Sequence, residues 1–209
     1  MLIYDFPDIE NIDSDGLICI SNEINPQMVL QAYIKGIFPW SASPVTWWSP
    51  DPRAVFFPKE FKLNKRMARA FKNSDLNYSF DKAFELVIKQ CAQPRANEDS
   101  WISPEFIDVY TSLHNLGFAH SVEAWHKDEL CGGIYGIAIG GFFAGESMFS
   151  KITNASTFCL AVLMKFLNKN KFSLFDTQVI NPHTKMLGAK EIPRKEYLKL
   201  LHQAINKTP

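Results

Sequence analysis

Apolar positions recur first with a helical period and later with the two-residue period of strands. In "NPQMVLQAYIKG", Asn25 stands where an N-cap belongs, Pro26 at the first helical position and Gly36 where a left-handed residue commonly ends a helix. "FKLNKRMARAFKN" puts Leu63, Met67, Ala70 and Phe71 toward one side of a predicted helix. Lys62, Lys65, Arg66, Arg69 and Lys72 fall on the other, at spacings of three and four. "DKAFELVIKQCA" repeats Phe84, Val87, Ile88 and Cys91 with the same period, and "SPEFIDVYTSLHNLG" predicts a helix capped by Ser103 and closed by Gly117. From residue 118 the period shortens. "FAHSVEAWHKDELCGGIYGIAIGGFFAGESMFS" predicts three antiparallel strands, turning near Lys127–Glu129 and at Gly140–Gly141. A helix capped by Asn154 ("NASTFCLAVLMKFLNKN"), a strand ("FSLFDTQVI") and a last helix ("RKEYLKLLHQAI") follow. The order implies an α+β fold on a mixed sheet.

The stretch 37–58 fits neither period. Trp40, Trp47 and Trp48 crowd into "GIFPW" and "WWSPDPR", which the prolines mark as a loop and neither a regular helix nor a central strand. Two roles stay open for the indoles. They plug a gap between layers, or they wall a slot for a flat ring or apolar side chain, with Arg53 as an anion clamp. Trp101, just before a helix cap, has core packing as its ordinary explanation.

At 209 residues the chain forms one large domain or two modest ones. Lys+Arg and Asp+Glu both total 22, so an anionic partner must be read from local clustering. The Lys62–Lys72 stripe is such a cluster, readable as a solvated face or as a surface for an anion. Four dispersed cysteines without a CxxC pair, and five histidines without HxxxH spacing, point away from disulfides and from a metal enzyme and toward a reducing compartment. The acidic start "MLIYDFPDIE" is no secretion signal, and no apolar run approaches the roughly 20 residues that span a bilayer. The expected address is the cytoplasm.

Along "FSLFDTQVI", strand alternation gives Asp176 and Gln178 one face, about 7 Å apart, with Phe172, Leu174 and Ile180. They mark a strand end emerging into water or a buried acid–amide pair that is a candidate site. Glu146 in "GGFFAGESMFS" is the lone charge in an aromatic, glycine-rich strand, with the same two readings. No GxxxxGK[ST] or GxGxxG phosphate loop occurs.

"AYIKGIFPW", "WWSPDPRAV", "SWIS", "LGFAHSVEAW", "GGIYG", "GESMFS", "NAS", "DTQVINPHTKMLGA" and "EIPRKEYL" resemble, in order, the blocks of the bacterial leucyl/phenylalanyl-tRNA–protein transferases. The resemblance runs from about residue 12 to 201. It implies transfer of leucine or phenylalanine, and weakly methionine, from charged tRNA to the N-terminal Arg or Lys of a protein, marking it for the N-degron pathway. The implied fold is a small N-terminal α+β domain (1–60) packed on a larger acetyltransferase-like (GNAT) mixed-sheet domain (61–209). No cofactor and no metal are expected, the charged tRNA being the donor; the partners are that tRNA and the acceptor protein, with no membrane, and the enzyme is expected to be a monomer.

By the same resemblance, Asp176, Gln178 and Glu146 are the expected catalytic residues, with Asp176 fixing Gln178 and stabilising the charge that develops on the attacking amine. Trp40, Trp101, Ile134, Phe143 and Leu163 are expected to line the pocket for the donor side chain and terminal adenosine, Ile134 replacing a methionine common in the family. Lys62, Lys65, Arg66, Arg69, Lys72 and Arg53 are expected to meet the tRNA backbone. The competing reading is an acyl-CoA-dependent N-acetyltransferase of the same fold, against which no glycine-rich pyrophosphate turn is found.

Overall fold

The computed structural model describes residues 4–9, 12, 15–41, 44–93 and 102–207. A small antiparallel sheet comes first, built from β1 (Leu17–Ser21), β2 (Phe38–Pro39) and β3 (Val45–Trp48), with β3 in the middle. Helix α1 (Pro26–Ile34) lies between β1 and β2 in sequence; the Asn25 side chain accepts from the Met28 N–H, and Gly36 follows at φ +79. Both ends of α1 are as the residue pattern requires.

A seven-stranded sheet makes up most of the rest. Its members are β4 (Arg53–Phe56), β5 (Asn77–Phe80), β6 (Ala119–His126), β7 (Glu129–Ile139), β8 (Phe142–Ser150), β9 (Leu174–Gln178) and β10 (Lys190–Ile192). They stand in the order β10-β4-β9-β8-β7-β6-β5, and only the β8–β9 pairing is parallel. That one parallel pair needs a crossover, which α5 (Ala155–Lys169) supplies. Helix α2 (Lys65–Lys72) lies beside α5, and α3 (Phe84–Cys91), α4 (Pro104–Asn115) and α7 (Arg194–Ile205) join α1 in a second core, while α6 (Pro182–Met186) is a short turn after β9. Each face of the sheet thus carries its own core: Leu174 and Tyr135 belong to the α1/α3/α4/α7 side, Phe175 and Ile134 to the α5 side. The α+β class, with a small sheet on a larger mixed one, is the class expected.

Two local expectations need correction. The stretch 37–58 is not a loop: it holds β2, β3 and β4, and Trp47 and Trp48 sit on the central strand of the small sheet. Pro44 precedes β3 and Pro50 and Pro52 follow it, so the prolines bracket the strand without removing an N–H from its interior. The chain passes from the small sheet to the large one between Trp48 and Arg53, since β4 pairs with β9 and β10. Asn154 precedes α5 in the left-handed region and makes no side-chain cap; Ser150 Oγ accepts from the Ser156 N–H at 2.7 Å instead. Among the described residues no helix is long and apolar enough to cross a membrane.

Candidate active site

Strands β8 and β9 share only three rungs, from Phe142–Leu174 to Ala144–Asp176. Past them β8 bulges: Gly136 opposes Gly145 and Tyr135 opposes Ser147, so Glu146 is the extra residue and is re-aimed by the kink. Gly145 is required here, since a Cβ would stand 2.7 Å from Cζ of the Phe175 ring. On the other strand Gln178 takes φ +62, which ends β9 and turns its side chain out of the alternation. The strands part, and a cleft of about 420 Å³ opens between them, lined by both Glu146 and Gln178.

Below the cleft, Asp176 is completely satisfied. Arg53, 0% exposed, gives Nε to Oδ1 at 2.9 Å and Nη2 to Oδ2 at 2.6 Å. The Tyr197 hydroxyl donates to Oδ2 at 2.9 Å, and the Gln178 backbone N–H donates to Oδ1 at 2.8 Å. The guanidinium lies between the rings of Phe38 and Tyr197, 4.6 and 4.5 Å from their centroids, and donates to the Gly36 carbonyl at 3.1 Å. Burial opposes the charge on Arg53, but the Asp176 carboxylate overrides it and holds the pKa above the ordinary value.

Glu146 has a different environment. Its carboxylate accepts from the Tyr33 hydroxyl of α1 and, at 3.0 Å, from the Tyr110 hydroxyl of α4. Neither partner is a cation. Burial pushes its pKa up to about 7, against the lowering pull of the two tyrosine hydrogen bonds; the charge on Asp176 adds to the rise and Arg53 opposes it. Burial likewise drives the pKa of both tyrosines well up, so they remain donors.

The remaining expected residues divide. Trp40, 42% exposed, and Ile134 line the cleft. Phe143 does not line it; its ring stacks behind Phe175, centroids 5.4 Å apart. Leu163 is buried in the α5 core, and Leu160, three residues earlier, reaches the cleft instead. Trp101 lies outside the described residues. Arg53 cannot meet a phosphate, because it is sealed under Asp176. Lys62, Lys65, Arg66, Arg69 and Lys72 are all exposed, on α2 and just before it, while Met67 and Phe71 pack toward α5.

Tyr33, Tyr110, Met148 and Phe175 belong to the site and escaped sequence reasoning. On α1 and α4 the two tyrosines occupy apolar-face positions and read as core. Only the lone charge in "GESMFS" hinted that something must satisfy it.

The cleft opens where two parallel strands part and sets the Glu146 carboxylate and the Gln178 amide among apolar walls, groups able to hold an acyl chain and an amine. Comparison with known sequences makes this specific. The profile described as leucyl/phenylalanyl-tRNA protein transferase matches residues 55–202, and that described as its N-terminal domain matches 22–51. The chain belongs to the leucyl/phenylalanyl-tRNA protein transferase family, and is thus an aminoacyltransferase. A protein of that name from Shewanella pealeana is 46% identical over 198 residues, covering 93% of this chain and 84% of its own. One from Hahella chejuensis is 44% identical over 203 residues, covering 96% and 87%. Among solved structures, a GCN5-related N-acetyltransferase from Kribbella flavida aligns over 80% of this chain and 61% of its own, at 10% identity and TM-score 0.39. That likeness is too distant to inform the chemistry.

Proposed function

We propose that the apolar part of the cleft seats the leucyl or phenylalanyl group of a charged tRNA and that its polar end receives the N-terminal Arg or Lys of an acceptor protein. One observation carries the reading: Glu146 and Gln178 line the same cleft, each two residues past the last rung their strands share. Trp40, Ile134, Met148, Leu160 and Phe175 supply apolar walls, and Trp40 also forms the doorframe for the terminal adenosine. A slot of this kind separates side chains differing by a methylene by only about 1–3 kcal/mol, so methionine is a slower donor.

The aminoacyl ester is already activated, so no nucleotide is consumed. The acceptor amine, with an ordinary pKa near 7.7–8.0, is partly unprotonated at neutral pH. Its nitrogen attacks the ester carbonyl, the ester C–O bond breaks, and the ribose oxygen leaves with the proton that the amine loses. Holding the two reactants together contributes roughly 7–11 kcal/mol. Gln178 accepts from the amine and aims it. Asp176 acts through the Gln178 backbone N–H and not through its side chain. Since its charge is already met by Arg53, Glu146 is the group that draws positive charge from the acceptor. Lys62, Lys65, Arg66, Arg69 and Lys72 meet the tRNA phosphates, which makes binding salt-sensitive and largely indifferent to base sequence.

This reading is of a cytoplasmic monomer that needs no cofactor and marks proteins for degradation. The test supplies an Arg-initiated peptide with Leu-, Phe- or Met-charged tRNA, or with acetyl-CoA. Transfer in the order Leu or Phe above Met, with none from acetyl-CoA, is expected; acetylation of the peptide would sink the proposal.

A further inference from the structure

The basic helix α2 does not stand alone. Phe71 on α2 meets Phe158 of α5 at 5.4 Å between centroids; Phe158 lies 6.4 Å from Tyr78 of β5, Tyr78 lies 5.9 Å from Phe80, and Phe80 lies 4.9 Å from Phe166 of α5. The near end of this ladder is buried and the far end is not. Tyr78 is 56% exposed, Phe166 43% and Phe80 38%. Tyr78 and Phe80 share a face of β5, the last strand of the large sheet, and that face looks toward α5. Three large rings left open side by side exceed what a solvated edge strand needs.

The surroundings of the rings say what suits them. Residues 59–82 and 155–171 hold ten of the chain's 22 lysines and arginines but only three of its 22 acids. Lys165 and Lys169 flank Phe166 on α5 and are exposed, as is Lys72 next to Phe71. An open ring surface bordered by cations on two helices combines base stacking with phosphate neutralisation, the pairing that single-stranded nucleic acid requires. An apolar protein partner would have no use for the cations.

We infer that Tyr78, Phe80 and Phe166 form a stacking shelf for an unpaired nucleotide of the tRNA, extending the α2 phosphate contact into a two-part RNA surface. This rests on the reading of the α2 stripe as tRNA-facing. It adds a contact indifferent to which base is stacked, since every base has a ring face.

The test compares the parent with Tyr78→Thr/Phe80→Thr/Phe166→Gln and with Arg69→Gln/Lys72→Gln, as full-length chains. Uncharged tRNA binding is measured across a salt series, and transfer is measured with phenylalanyl-adenosine, a donor without a tRNA body. The ring variant should lose about tenfold in tRNA affinity with an unchanged salt slope. The charge variant should lose affinity with a shallower slope. The ring variant should use phenylalanyl-adenosine at the parent's rate. Unchanged tRNA affinity in the ring variant overturns the shelf while leaving the transfer function intact. So does a parent dimer that becomes monomeric in the ring variant with tRNA affinity kept, which would make the rings a self-association surface. Equal loss with both donors would show that the rings only support the fold.

Discussion

Asp176 and Glu146 are buried carboxylates on neighbouring parallel strands, one at the last shared rung and one just past it. Their surroundings could hardly differ more. Asp176 has a cation, a tyrosine and a backbone N–H, and no face toward the cleft. Glu146 has two neutral hydroxyls and opens on the cleft. A carboxylate whose charge is already met can only hold things in place. One kept near its neutral form, without a counter-ion, is poised to gain from an arriving cation. The difference separates an anchor from a candidate participant.

The largest expected effect comes from breaking the anchor. Arg53→Met should cost about 3–5 kcal/mol of stability, because it leaves Asp176 buried and unpaired. Adding Asp176→Leu should restore most of that loss yet leave transfer dead, since the Gln178 N–H then lacks its acceptor. Denaturant titration of both variants checks this, and a single variant as stable as the parent would show that the pair anchors nothing.

Glu146 offers the next test. Between its ordinary 4.5 and about 7, the folded protein keeps a proton that the unfolded chain has released. Its contribution to stability is therefore complete below pH 4.5, falls as pH rises through that window and levels off above 7, a swing on the order of 3 kcal/mol. Glu146→Gln should remove this slope, which shows as the difference between parent and variant in unfolding free energy at pH 5 and 8. It should also lower turnover of Arg and Lys acceptors specifically; parallel pH curves would rule out the assigned environment.

Smaller effects sharpen the picture. Trp40→Ala, at a half-exposed position, should raise the donor KM by about tenfold while changing stability by less than about 0.5 kcal/mol. Steady-state kinetics with Leu-tRNA would read it, and an unaltered KM would remove Trp40 from the pocket. Gln178→Gly relieves a left-handed backbone and should hold or raise stability by up to about 1 kcal/mol, while transfer falls steeply. Unimpaired turnover in that variant would leave Gln178 a turn residue and nothing more.

The helices of eight or more residues and the three-stranded meander were legible because each runs long enough for its period to declare itself. Strands β2, β3 and β4 were not, having two to four residues apiece, too few for alternation to show between prolines. Asp176, Gln178 and Glu146 could be singled out as polar residues in apolar strands, but what surrounds them could not. Arg53 in "PDPR" looked like a surface cation because its partner lies 123 positions away. Strand alternation put Asp176 and Gln178 on one face, and a single left-handed residue undid it. Leu160 and Leu163 are equally apolar and three apart, so only the packing of α5 decides which one meets the cleft.

Asp176 ties together segments that leave the ribosome far apart in time: the turn after α1 through Arg53, strands β4 and β9, and α7 through Tyr197. Until that late tyrosine has emerged and docked, the clamp is missing a member and Gln178 lacks its finished seat. A chain that stops before α7 therefore has neither the Tyr197 hydroxyl on Asp176 nor the Tyr197 ring against Arg53.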